Sequence, residues 1–229
     1  MESVWEYRWN LLDGVLVTIE VAIASVLISV LLGLLGAWGK LSGARVPGVI
    51  AEAYTTVIRG VPDLVLMLLI FFGGQLLLND LGELTSLWTY VEVNPFMAGV
   101  LTIGFIFGAY MTETFRGAFL SIPKGQIEAA VACGMTPSLT FRRVIWPQLV
   151  RYALPSFTNN WLVLLKTTAL VSVIGLQDVV YNANAGGKAT QEPFMFFFAV
   201  LIIYLVLTAI SDWGLNRLDR KYSAGVRRA

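Results

Sequence analysis

Five stretches of this sequence stay apolar for long enough to cross a lipid bilayer, and that restricts the chain to a bundle of membrane-spanning helices. A helix needs about 20 apolar residues to traverse a hydrocarbon core of ~30 Å. Within that core every backbone amide must find its partner inside its own helix. The stretches are Val15–Trp38, Val61–Leu78, Phe96–Met111 with a polar continuation to Phe115, Ala153–Leu176 and Phe194–Gly214. The second is broken on its inner side by Arg59-Gly60-Val61-Pro62, because proline lacks a donor and clashes with the preceding turn. Composition agrees: 57% of the 229 residues are apolar and 14% are charged, against about a quarter charged in soluble domains. The expected fold is an all-α integral membrane protein with five spans.

Charge is divided between the two ends of these spans. Lys40, Arg45 and Arg59 lie between the first and second, and Arg116, Lys124, Arg142, Arg143 and Arg151 between the third and fourth. Arg217, Arg220, Lys221, Arg227 and Arg228 follow the fifth. The opposite ends carry only Arg8 and Lys188, beside Glu2, Glu6, Asp13, Asp80, Glu83, Glu92, Asp178 and Glu192. Lys and Arg accumulate on the cytoplasmic side, so the amino end is expected outside and the carboxyl end inside. Segment 1–14 is acidic, so the first span is expected to be a retained anchor.

Several chemistries are disfavoured by what is missing. There is no histidine, the commonest metal ligand and neutral-pH base. The single cysteine, Cys133, permits neither an internal disulfide nor a cysteine-cluster metal site. A phosphate-binding loop requires G-x-x-x-x-G-K-[ST]. The nearest approach, Gly186-Gly187-Lys188-Ala189, has Asn182 in place of the first glycine and Ala189 in place of the hydroxyl. A hydrolase or metalloenzyme is not expected, and if the chain belongs to a pump, another polypeptide hydrolyses the ATP.

Between the third and fourth spans lies a pattern with fixed spacing: Glu128-Ala129-Ala130, then Gly134, the aromatic Phe141, then Val144 and Pro147. Ala129 and Ala130 permit close helix contact, and Gly134 permits a sharp turn. Thr136-Pro137-Ser138 reads as the start of a second short helix. Its apolar face of Leu139, Phe141, Val144 and Ile145 suits a groove on a partner. A surface helix resting on lipid headgroups through Arg142, Arg143 and Arg151 is the simpler alternative.

This pattern resembles the cytoplasmic loop of ABC importer permeases. Tyr54 to Leu66, which contains Arg59-Gly60-Val61-Pro62, resembles the segment "RGTP" of polar amino acid permeases. Here Val61 replaces the usual threonine and Asp63 a common leucine. Gly108 to Gly117, Lys166-Thr167-Thr168-Ala169-Leu170 and Gly175 to Val180 narrow the resemblance to permeases of the histidine/lysine/arginine/ornithine class; "KTTAL" stands where many relatives have "KDTSL". The resemblance implies a type I importer in the bacterial inner membrane. Segment 1–14 would be periplasmic, 15–218 the transmembrane domain with a coupling module at 126–147, and 219–229 a cytoplasmic tail. It implies an ATPase dimer, a second homologous permease or a second copy of this one, and a periplasmic solute-binding protein. No cofactor is expected on this chain, with ATP and Mg used by the partner ATPase, and no nucleic acid is implied. An importer of another polar amino acid or an opine remains open, as does, more remotely, a secondary carrier or channel.

Charges inside a span are costly and ask for a reason. Glu20, Glu113 and Lys166 are such charges, with Asp178 just beyond the fourth span. In a transporter of basic amino acids, Glu113 is expected to meet the substrate's cation, helped by Tyr110, Thr112, Gln177 and Asp178. Its alternative is a pair with Arg116, three residues on. Lys166 is expected to pair with a carboxylate of a neighbouring span or subunit, and Arg59, Arg116 and Lys166 are the candidate gating or structural charges. Gly33, Gly36 and Gly39, and Gly99, Gly104 and Gly108, read as helix-crossing points. Trp5, Trp9, Trp88, Tyr90 and Trp213 read as an interfacial belt.

Overall fold

The computed structural model describes residues 2–223 and is helical throughout, without strands among those residues. Arg227 and Arg228, and the tail beyond residue 223, lie outside the described residues. A short α1 (Glu2–Glu6) precedes α2 (Arg8–Leu41), which turns into α3 (Arg45–Gly60). After Pro62, α4 (Asp63–Leu68), a π-helical turn (Leu69–Gly73) and α5 (Gly74–Thr85) form one continuous span. Then come α6 (Pro95–Leu120), α7 (Lys124–Ala132) and α8 (Pro137–Thr140). A second π turn (Phe141–Ile145), α9 (Trp146–Thr167) and a 3-10 turn (Thr168–Ile174) follow without a break. Last are α10 (Val179–Thr190) and α11 (Pro193–Ser223).

Five of these helical stretches are long and apolar enough to cross a membrane: Arg8–Leu41, Asp63–Thr85, Pro95–Leu120, Pro137–Ile174 and Pro193–Tyr222. Each expected span is present and its helix is longer than the apolar run; the second extends only at its far end, starting at Asp63 instead of Val61, and the fourth only at its near end, stopping at Ile174 instead of Leu176. The fourth differs most. The expected second short helix starts at Thr136, whose hydroxyl accepts from the Leu139 amide, but it runs straight on into the span. The widened turn Phe141–Ile145 makes this possible. Pro147 has no amide to offer Arg143 and its ring presses on that carbonyl, and a π turn relieves the crowding.

At the centre α6 runs parallel to α2 and antiparallel to α9. Ser25 Oγ donates to the Val100 carbonyl at 3.3 Å, and a Cβ on Gly33 would collide with Met111. On the other side Asn160 Nδ2 donates to Thr114 Oγ1 at 3.0 Å, while a Cβ on Gly99 would press on Val171. The anticipated crossing glycines do this work: Gly36 faces Thr112, Gly104 faces Ile28, and Gly108 faces Leu32 and Tyr54. In lipid, small residues at crossings let backbones approach, since burying leucine gains nothing there. Accordingly α2 buries Thr18, Ala22, Ser25, Ser29 and Gly33 and exposes Leu16, Ile23, Leu27 and Leu31. The core is filled by Phe107, Ile103, Ile106, Met67 and Leu164. Trp5, Trp9, Tyr90 and Trp213 are exposed at segment ends. Trp88 departs from the belt: its indole donates to the Leu78 carbonyl at 3.0 Å and covers Gly82.

Candidate functional site

The charges near the basic end of the bundle converge on one carboxylate. Lys40, in the last turn of α2, places Nζ 2.6 Å from Glu113 Oε1, 2.7 Å from Glu52 Oε2 and 2.6 Å from Thr55 Oγ1. Arg116 donates through Nε and Nη2 to the other oxygen of Glu113, at 3.0 and 2.7 Å. The alternative reading of Glu113, a pair with Arg116, is thus present, and the second cation, Lys40, serves in the sequence only to orient the chain. The Lys40 side chain is 8% exposed and that of Glu113 21%. Both carboxylate oxygens are therefore already engaged by cations of this chain. α3 brings Glu52 and Thr55 to the cluster, and its buried positions Ala51, Thr55 and Ile58 fall on one helical face.

Beside this cluster two cavities of about 540 and 430 Å³ share Arg59, Tyr110 and Glu113 in their walls. The larger is completed by Thr114 of α6 and by Pro155, Ser156, Asn159 and Asn160 of α9. Arg59 lies in the last turn of α3, and its guanidinium is 5.4 Å from the centre of the Tyr110 ring. That is within the range of a cation–π contact.

Other expected site residues lie apart from these cavities. Thr112 is fully buried, donates to the Gly108 carbonyl at 2.8 Å and packs on Gly36. Asp178 is fully buried at the acidic end, where its Oδ1 caps α10 by accepting from the Tyr181 amide at 2.8 Å. Its Oδ2 has no hydrogen-bond partner among the described residues. Burial pushes its carboxyl up to about 6, against the pull of the amides it accepts from. Thr18 Oγ1 accepts from the Val179 amide nearby, and Gln177 is exposed. The structure thus brings Glu113, Tyr110, Arg59 and Arg116 together and leaves Asp178, Gln177 and Thr112 out.

Lys166 is exposed and makes no ion pair among the described residues. It stands between Asn160, opposite Thr114, and Val171, opposite Gly99, and so faces the level of the middle of α6. It continues the exposed α9 face of Ser156, Asn159 and Val163.

At the basic end, Gly134 closes α7 with φ +76°. The Met135 amide reaches the Ala130 carbonyl at 3.1 Å and the Gly134 amide that of Val131 at 2.9 Å, a Schellman ending. Glu128, Ala129, Phe141 and Trp146 are exposed, the two rings 6.2 Å apart, whereas Ala130 is buried and Val144 and Pro147 half-buried. Within 124–147 the exposed large apolar side chains are Val131, Phe141 and Trp146.

Residues 25–224 match a known family, the inner membrane components of binding-protein-dependent transport systems. The chain belongs to that family. This inner membrane component is 55% identical over 219 residues, 96% of either chain, to HisQ of Escherichia coli K12, a permease protein of a histidine/lysine/arginine/ornithine transport system. It is 40% identical to the nopaline transport system permease protein NocQ of Agrobacterium fabrum, over 95% of this chain and 93% of that one. Among solved structures, an amino acid ABC transporter crystallised with histidines matches with a TM-score of 0.81, at 32% identity over 96% of this chain and 97% of that one. The fold also recurs in the MetNI methionine transporter, at a TM-score of 0.66 and 17% identity. Such permeases are transporter subunits and not enzymes; ATP is hydrolysed on a separate chain, and a binding protein completes the system.

Proposed function

We propose that this chain is the permease subunit through which basic amino acids of the histidine, lysine, arginine and ornithine class enter the cell, driven by a separate ATPase. The observation that carries this reading is the 55% identity to the histidine/lysine/arginine/ornithine permease, against 40% to the nopaline permease. A polar cavity between α3, α6 and α9 supports it physically, since a zwitterion crossing lipid needs hydrogen-bonding walls.

In this reading the basic end faces the cytoplasm and an ATPase dimer using ATP and Mg grips Glu128 to Pro147. Val131, Phe141 and Trp146 offer that ATPase apolar surface. A second, homologous permease completes the pathway, and a solute-binding protein docks at the acidic end. Lys166, exposed within the span and without an ion pair among the described residues, supports the second permease, because a bare cation facing lipid is costly. Glu113 acts here as the organiser of the cavity's cations. The test is ATP hydrolysis by the reconstituted complex, stimulated by binding proteins loaded with histidine, arginine, nopaline or glutamine. Stimulation by nopaline alone, or by none of them, would overturn it.

A further inference from the structure

The walls of the two joined cavities hold three cations, Lys40, Arg59 and Arg116, but only two carboxylates, Glu52 and Glu113. Lys40 holds both carboxylates and Arg116 clasps Glu113 from the other side. Among the described residues Arg59 has no carboxylate within ion-pair distance. What the cavity lacks is therefore an anion, whereas a cationic side chain would meet a Glu113 already doubly compensated.

We propose that Arg59 receives the α-carboxylate of the transported amino acid. The inference rests on the reading of this chain as an amino acid permease and deepens it. A guanidinium presents a planar fork that matches a carboxylate with two parallel hydrogen bonds. The Tyr110 ring steadies that fork at 5.4 Å without consuming its donors. Across the cavity, Asn160 gives its Nδ2 to Thr114 Oγ1, which leaves Oδ1 as an acceptor for the neighbouring α-ammonium. A volume of about 540 Å³ lies within the usual ~300–1,000 Å³ of small-molecule sites. The group recognised here is common to every amino acid, so the cavity passes histidine, lysine and arginine alike.

The test compares histidine with histidinamide, which lacks the carboxylate charge, as competitors for labelled histidine on the full complex in nanodiscs without binding protein. The wild type is expected to prefer histidine by about 10- to 100-fold, the contribution of a charge-assisted pair. In Arg59→Gln the histidine affinity falls by about that factor and the histidinamide affinity stays, so the ratio approaches one. Arg59→Lys restores part of the preference, and it carries the test alone should Arg59→Gln fail to assemble. Equal losses for both ligands would make Arg59 a structural or lipid-facing cation and overturn the proposal. So would the absence of discrimination, or of saturable binding, in the wild type. Histidine uptake into wild-type proteoliposomes with binding protein and ATP is measured alongside. Its failure would instead remove the reading as a basic amino acid permease.

Discussion

Lys40 Nζ and Glu113 Oε1 are 2.6 Å apart although 73 positions separate them in the chain. This contact fastens the end of the first span to the third, and through Thr55 and Glu52 to α3 as well. Replacing Lys40 by methionine is expected to keep the Glu113–Arg116 pair but strip one charged partner from a carboxylate that is largely shielded. A loss of about 1.5–3 kcal/mol follows from one hydrogen bond to a charged group. Thermal unfolding of the purified complex, wild type against Lys40→Met, measures it.

Glu113→Gln is expected to depress histidine, lysine and arginine uptake by similar factors at neutral pH. Both oxygens of Glu113 serve Lys40 and Arg116, so its removal disturbs the cavity rather than one substrate charge. Parallel uptake assays decide this. A selective loss for arginine and lysine, with histidine spared, would restore Glu113 as the direct cation receptor.

Gly134→Ala is expected to weaken coupling, while Gly134→Asn largely retains it. Nothing lies within 4 Å of a Cβ built at this position, so the penalty comes from φ +76° alone. A left-handed backbone costs an ordinary residue roughly 1–2 kcal/mol, and asparagine tolerates it best after glycine. The readout is transported substrate per ATP hydrolysed in proteoliposomes. Equal behaviour of the two variants would remove the left-handed turn from the mechanism.

Asp178→Asn is expected to stabilise the protein at pH 7 and to change little at pH 4. Burial raises the native carboxyl from 3.8 to about 6. Below 3.8 the group is protonated in folded and unfolded chains alike. As pH rises through 6 the folded state must carry a buried charge, and stability is lost. A shift of about two units corresponds to at most about 3 kcal/mol. Asparagine keeps the cap of α10 and removes the charge. Thr18 and Tyr204 are its polar neighbours from α2 and α11. Melting temperatures of both proteins from pH 4 to 8 give the answer.

Lys166→Leu is expected to insert more readily by roughly 3 kcal/mol, the difference between lysine and leucine at a span centre. Transport or permease pairing should nevertheless fall. Translocon-insertion measurements and co-purification of the two permeases check the two halves separately.

The five spans were legible because hydrophobic length accumulates residue by residue and needs no knowledge of tertiary contacts. Their ends were not, since the polar residues Arg8, Asn10, Asp13 and Lys40 are helical too. Arg45–Gly60 escaped because Pro47, Gly48, Glu52 and two threonines interrupt its apolar run; the spacing Ala51, Thr55, Ile58 was the available signal. Glu113–Arg116 was visible as a three-residue helical spacing, whereas Lys40 reaches the same carboxylate only through the packing of α2 on α6. Asp178 reads in the sequence as a candidate pathway residue, and in the structure it caps α10. Its place directly before Val179-Val180-Tyr181 is an N-cap position, and that signal was there to be read.

The unbroken helix from Pro137 to Ile174 makes Phe141 and Asn159 points on a single lever. They are 18 positions apart, about 27 Å at 1.5 Å per residue. A tilt of only about 10° about one end would swing the other by nearly ~5 Å. In the proposed reading, small torques applied at the Phe141 end would thus arrive, magnified, at the cavity wall around Asn159.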